Sequence, residues 1–127
     1  MNENEISAGM AATPGYRYAV SVGNELHMAG QVPLDAGGEL VGPGSPVAQA
    51  AQCLENLALV VRANGFGVGD IRHLTIYVAG DQPDLNAAWT VITSWFAGPV
   101  PPATLLGVRS LGHVGQLVEI DSRVIRG

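Results

Sequence analysis

The sequence predicts a two-layer α+β sandwich of order ββαβαββ, with both helices covering one face of a single sheet. Two observations carry the helices and a third carries the strands. Segments beginning near Ser45 and Pro83 repeat apolar residues at helical spacing. Five shorter apolar runs stand between glycine, proline and asparagine turn signals, as strands do. At 127 residues, 47% apolar and 13% charged, the chain can bury one core and has no room for a second domain with its own. Residues 1–127 are read as one domain.

Residues 1–15 show no sustained apolar period and end in Thr13-Pro14-Gly15, so a loose arm is expected there. Tyr18 to Val22 and Leu26 to Val32 are strand-like runs that Gly23-Asn24-Glu25 joins into a hairpin. A loop rich in glycine and proline follows, from Pro33 to Pro46. Ser45 is a good N-cap, and Pro46 suits the first helical position. Val47, Ala50, Ala51, Leu54, Leu57, Ala58 and Val61 then fall on one helical face until Asn64-Gly65 stops the helix. Ile71 to Val78 reads as a buried strand. The second helix runs from about Pro83 to Phe96, with Leu85, Ala88, Trp89, Ile92 and Phe96 inward, and Pro99, Pro101 and Pro102 end it. Strands near Ala103 to Arg109 and Leu117 to Ile125 close the chain.

In the last strand Val118, Ile120, Ser122 and Val124 suit the helix layer, leaving Leu117, Glu119, Asp121 and Arg123 on the other face. In the strand before it, Ala103 and Leu105 share one face, and Thr104 and Leu106 the other. Helices on one side only leave the second sheet face bare. Packing it against other subunits is the economical cover.

Composition removes several function classes. Six arginines, no lysine and eleven acids give a net charge of -5, which disfavours sequence-independent binding to a nucleic acid. Without lysine there is no Schiff-base residue, no pyridoxal-phosphate anchor and no P-loop lysine. Cys53 has no partner for an internal disulfide, and His27, His73 and His113 share no ligand spacing, so neither metal nor organic cofactor is expected. The three histidines read as structural or surface residues, Cys53 as a small core residue, and Trp89 and Trp95 as packing residues. The N-terminus lacks the basic start and apolar stretch of a signal peptide. The apolar run Leu57 to Val61 falls far short of the roughly 20 residues of a membrane helix. A cytoplasmic protein without membrane or nucleic-acid partners is the expectation.

Several short motifs, in order, are similar to the Rid family of YjgF-type enamine/imine deaminases. They are Pro14-Gly15-Tyr16, His27-Met28-Ala29-Gly30-Gln31, and the helix Gln49-Ala50-Ala51-Gln52-Cys53-Leu54-Glu55-Asn56-Leu57. The Asp70 to Val78 strand, Leu85-Asn86 and Leu117-Val118-Glu119-Ile120 match as well, so the resemblance spans roughly residues 14–125. It implies a chorismate-mutase-like fold in a homotrimer, with clefts between neighbouring subunits. It also implies cofactor-independent hydrolysis of reactive 2-imino acids to 2-oxo acids and ammonia.

The resemblance assigns roles residue by residue. Glu119 would orient water and shuttle protons. Tyr16 would bring a phenol to the cleft rim, and Ala29, Gly30 and Gln31 would bring main-chain N–H groups to a small-molecule substrate, glycine allowing close approach. Asn86 would reach the pocket from the second helix. One departure matters for mechanism. Active family members carry an arginine in a P-x-R-[ST] segment, where a guanidinium clamps the substrate carboxylate through two hydrogen bonds. Here Pro101-Pro102-Ala103-Thr104-Leu105 puts Ala103 at the arginine position and Leu105 two residues on, and Ala29 stands where serine is common. Arg109 and Arg17 are poorly placed as substitutes. Standard 2-imino acid hydrolysis is therefore disfavoured. Two readings stand: an enzyme with a relined pocket acting on a less acidic imine, enamine or related carbonyl compound, and a non-catalytic trimeric small-molecule-binding or accessory protein. An older ribonuclease label finds no support in an acidic chain without an acid/base pair beside a basic groove.

Overall fold

In the computed structural model, which describes residues 1–127, a five-stranded sheet has the order β1-β2-β5-β3-β4. Its strands are β1 (Ala19–Val22), β2 (Glu25–Met28), β3 (Ile71–Val78), β4 (Ala103–Gly107) and β5 (Val118–Ile125). Three helices accompany it: α1 (Glu3–Ser7), α2 (Pro46–Ala63) and α3 (Gln82–Trp95). β3 and β4 are parallel, and every other neighbouring pair is antiparallel. The ββαβαββ order is as the patterning predicts, with α1 added before it. No helix is long and apolar enough to cross a membrane.

Local chemistry sets the helix ends. The Ser45 hydroxyl accepts the Ala48 N–H at 3.0 Å, and Pro46 occupies the first turn of α2. Gly65, at φ 79°, takes the left-handed conformation just past the end of α2. Asp81 caps α3 together with Asp84, whose carboxylate accepts the Asp81 N–H at 3.0 Å. The α2 stripe of Ala50, Leu54, Leu57 and Val61 meets Ala88 and Ile92 of α3 and the inward residues of the sheet. Those inward residues are Leu74, Ile76 and Val78 on β3 and Val118, Ile120 and Val124 on β5, all essentially inaccessible.

Three differences from expectation have physical causes. Residues 1–15 are not a loose arm. Within them α1 forms, Glu5 is buried, and its carboxylate accepts the Asn64 amide at 2.6 Å. Asn2 is buried too, donating to Thr13 and to the Tyr16 carbonyl and accepting the Tyr18 N–H. Polar side chains hold this segment, so apolar periodicity could not reveal it. Second, the Leu26–Val32 run is a strand only to Met28, and pairing resumes at Gln31, which bridges to Ile120. Third, β4 ends at Gly107, short of Arg109.

Two buried amides of α2, one face and two turns apart, fasten the loops beneath the helix. Gln49 donates to the Gly42 and Gly115 carbonyls and accepts the Leu117 N–H at 2.6 Å. Asn56 donates to the Val32 and Leu34 carbonyls at 2.9 and 3.0 Å. Gln49 is fully inaccessible, so truncating it strands three main-chain groups away from water. Gln49→Ala is expected to cost about 3 kcal/mol; urea unfolding with an unchanged m value checks this.

Candidate active site

The site grows from one reciprocal main-chain pair. Gln31 N–H donates to the Ile120 carbonyl at 2.7 Å, and Ile120 N–H returns to the Gln31 carbonyl at 3.0 Å. This pair carries the Ala29-Gly30-Gln31 segment across to β5, on the side where Glu119 projects. A Cβ placed on Gly30 would lie 2.5 Å from Glu119 Oε2. A side chain at position 30 would push this carboxylate from its present place, and glycine leaves it room. Glu119 Oε1 accepts the Gln116 amide at 3.3 Å, and Gln116 is itself nearly inaccessible. Gln31, equally inaccessible, turns its amide back onto the Ala29 carbonyl at 3.0 Å and so braces the turn.

A cavity adjoins this carboxylate. Its walls are Met10 to Pro14, Tyr16, Tyr18, Ala29 to Val32, Leu34, Asp35, Asn56 and His113. Tyr16 stands at its edge, 42% exposed, on a stretch that Asn2 and Thr13 hold through the Tyr16 carbonyl. The Tyr18 hydroxyl donates to the Ala11 carbonyl, and burial holds its phenol proton more tightly than usual. The structure thus brings Tyr16, Ala29, Gly30 and Gln31 to one cavity and sets Glu119 against Gly30.

It does not gather the rest within one chain. Asn86 is exposed on α3, bonded to Gln82, in the helix layer on the other side of the sheet from Glu119. Ala103 and Leu105 are also on that other side. Ala103 pairs with Leu74 and Leu105 with Ile76, and both pack on the core. Glu119 pairs instead with Tyr77, the partner of Leu106, and Asp121 pairs with Thr75, the partner of Thr104. Thr104 and Leu106 therefore share the Glu119 face. Ala103 and Leu105 therefore lie outside the cavity formed within their own chain.

Three residues near the site escaped sequence reasoning. Asn56 and Gln49 left a signal, since they are amides on the same helical face as Cys53 and therefore had to be satisfied buried groups. Gln116 left none: nothing in Gly115-Gln116-Leu117 announces a side chain that folds back on the strand after it. Cys53 is wholly buried beside the Val118 carbonyl. Burial, aided by the Glu119 charge, pushes its thiol well above the ordinary value, so it is an unreactive core residue.

With this geometry the comparisons become decisive. The family model described as Endoribonuclease L-PSP matches residues 6–125. This chain belongs to the Rid (YjgF-type) family. A 2-iminobutanoate/2-iminopropanoate deaminase of Mus musculus is 32% identical over 118 residues, covering 92% of this chain and 85% of that protein. The protein of that name from Escherichia coli is 33% identical, covering 91% of each. Among solved structures, RidA from the Antarctic bacterium Psychrobacter superposes with a TM-score of 0.83 at 28% identity, covering 94% of this chain and 95% of that one. The Rid fold is thus shown for the whole sandwich.

The contact between Gly30 and Glu119 is testable without any substrate. Gly30→Ala is expected to destabilise by about 1–3 kcal/mol through overpacking. Glu119→Ala in the same chain should relieve most of that loss, so that the two changes are strongly non-additive in urea unfolding. Additive effects would mean that the carboxylate does not lie against residue 30.

Proposed function

We propose that this Rid-family chain is a cofactor-independent imine/enamine hydrolase whose working form is a homotrimer with clefts between subunits. The observation that carries the reading is the Glu119 carboxylate held against the Gly30 main chain beside a cavity containing Tyr16 and Gln31. Family membership and the deaminase names of the relatives support the reaction class. The exposed apolar residues Val20, Val22 and Leu106 and the half-buried Tyr77, on the sheet face away from the helices, support association through that face.

In the proposed reaction, Glu119 accepts a proton from water as the oxygen bonds to the C=N carbon. The C=N π pair goes to nitrogen, and the proton passes from Glu119 to that nitrogen. A second proton shift from the new hydroxyl lets the C–N bond break. Ammonia leaves, and a carbonyl remains. The close main chain at Gly30 offers an N–H to the polar end of the substrate, and the Tyr16 phenol a further hydrogen bond at the rim.

One observation favours the second reading, a trimeric small-molecule-binding or accessory protein. On the Glu119 face β4 presents Thr104 and Leu106, so this strand offers a substrate carboxylate no guanidinium. The deciding assay follows 2-oxo acid release from freshly generated 2-iminopropanoate, and a neutral imine in parallel. The enzyme reading expects turnover of the neutral imine that Glu119→Gln lowers by roughly 100-fold or more. Thr104→Arg is expected to raise turnover of the anionic substrate. Ala103→Arg, at the half-buried edge position that the resemblance matches to the family arginine, is the companion variant and is expected to raise it as well. Inert wild type towards both substrates, with a ligand still bound, would establish the accessory role instead. Size-exclusion with light scattering is expected to give about three times the 13.1 kDa chain mass.

A further inference from the structure

We propose that Gln116 is a positioning residue for proton transfer. Its amide holds one oxygen of Glu119 and leaves the other, the one against Gly30, as the atom that takes and returns the proton. The inference rests on the imine-hydrolase reading and adds to it a residue that acts only through the carboxylate.

The amide has one workable orientation. Gln116 is 3% exposed, and each of its polar atoms is engaged. Oε1 accepts the His113 N–H at 3.2 Å, while Nε2 donates to the Val118 carbonyl at 3.0 Å and to Glu119 Oε1 at 3.3 Å. Turned over, the amide would set its oxygen against a carbonyl and a carboxylate, and its own N–H groups against an N–H. The two oxygens of Glu119 are made unlike as a result. Oε1 carries the Gln116 hydrogen bond. Oε2 accepts none within the chain and is the atom closest to residue 30, 2.5 Å from where a Cβ there would stand. Gly30 lines the cavity and Gln116 does not, so Oε2 is the oxygen on the cavity side.

Strand alternation alone would keep Gln116 from Glu119, because residues three apart point to opposite faces. Gln116 reaches back because it lies in a turn before β5 begins. Its N–H donates to the His113 carbonyl at 3.0 Å, and its side chain closes the same turn by accepting the His113 N–H. Gly115, at φ 81°, supplies the left-handed step, and a Cβ there would lie 3.0 Å from Leu40. Gln49, from the core, holds the Gly115 carbonyl and the Leu117 N–H on either side. The amide is thus fixed before it fixes the carboxylate. A carboxylate held by one oxygen keeps the other in place, and a small misplacement of a reacting group costs much of the rate. A hydrogen bond to the charged form also favours that form, which is the one that accepts a proton from water.

Gln116→Met keeps the length of the side chain and removes the amide. The readout that needs no turnover is the carboxyl-carbon NMR signal of Glu119, followed through its acid titration and assigned by its absence from Glu119→Gln. In Gln116→Met its midpoint is expected to move to higher pH by roughly half a unit or more, because the charged form has lost a donor. The other titratable groups around Glu119 are unaltered by this change: Asp121 on its own strand face, Tyr77 on β3, Cys53 on α2, and the tyrosines, Asp35 and His113 of the cavity. On the neutral imine the variant is expected to lose kcat roughly 10- to 100-fold with KM nearly kept. Gln116→Glu keeps an acceptor for the His113 N–H but sets a second carboxylate beside Glu119, and should move the midpoint further the same way. Asn64→Ala, which unties Glu5 outside this turn, controls for lost stability and should leave the midpoint as in wild type. An unmoved midpoint or an unchanged kcat in both Gln116 variants, with turnover that still requires Glu119, would overturn the role of Gln116 and leave the hydrolase reading standing. Wild type inert towards both imines would overturn the hydrolase reading and this proposal together.

Discussion

The reciprocal hydrogen-bond pair between Gln31 and Ile120 is the constraint on which the site depends. β2 pairs with β5 at Glu25 and Leu26, regular pairing lapses beyond Met28, and this bridge brings the chain back onto β5 at Ile120. With it, Gly30 stands against Glu119 so closely that a side chain at position 30 would displace the carboxylate. The carboxylate then faces a main-chain segment on one side and the Gln116 amide on another, while the β5 main chain on which it sits is fixed by the centre of the sheet. A proton-transfer group on a central strand is held more tightly than one on a loop.

The scaffold supports that pair through polar contacts inside an otherwise apolar layer. Gln49 and Asn56 project from the same face of α2 that packs Leu54 and Leu57 on the sheet, and each fastens one of the loops flanking the site. Buried amides contribute little net stability when satisfied and cost much when orphaned. Their benefit is geometric, because loop carbonyls at fixed points hold the segments after Gly30 and before Glu119. The N-terminal segment works the same way at the rim, where Asn2 and Glu5 tie it to Tyr16, Tyr18 and Asn64.

The elements that bury apolar stripes were legible from the sequence. The periodicity of α2, the capping at Ser45 and Asn64, and the alternation in β5 fix the sandwich and turn Glu119 away from the helices. Motif order then brought Tyr16, Gly30, Gln31 and Glu119 into one expectation, and these residues do assemble. What failed was local and polar. Apolar spacing is blind to α1, which docks by side-chain amides and a carboxylate. On β4, counting from Val108 and Leu111 matched Ala103 to the arginine position, but the chain alone does not say which face of that strand meets the site. Pairing with Leu74 and Ile76, visible only in three dimensions, sets Ala103 and Leu105 towards the core.

Amide hydrogen exchange, read residue by residue, tests the central constraint most directly. The account expects the Gln31 and Ile120 N–H groups to exchange at the slow rate of the β3 and β5 core amides, through global unfolding only. A Gln31 amide that exchanges as fast as the loop residues around Gly37 would contradict it, because Gly30 would then have nothing holding it against the carboxylate.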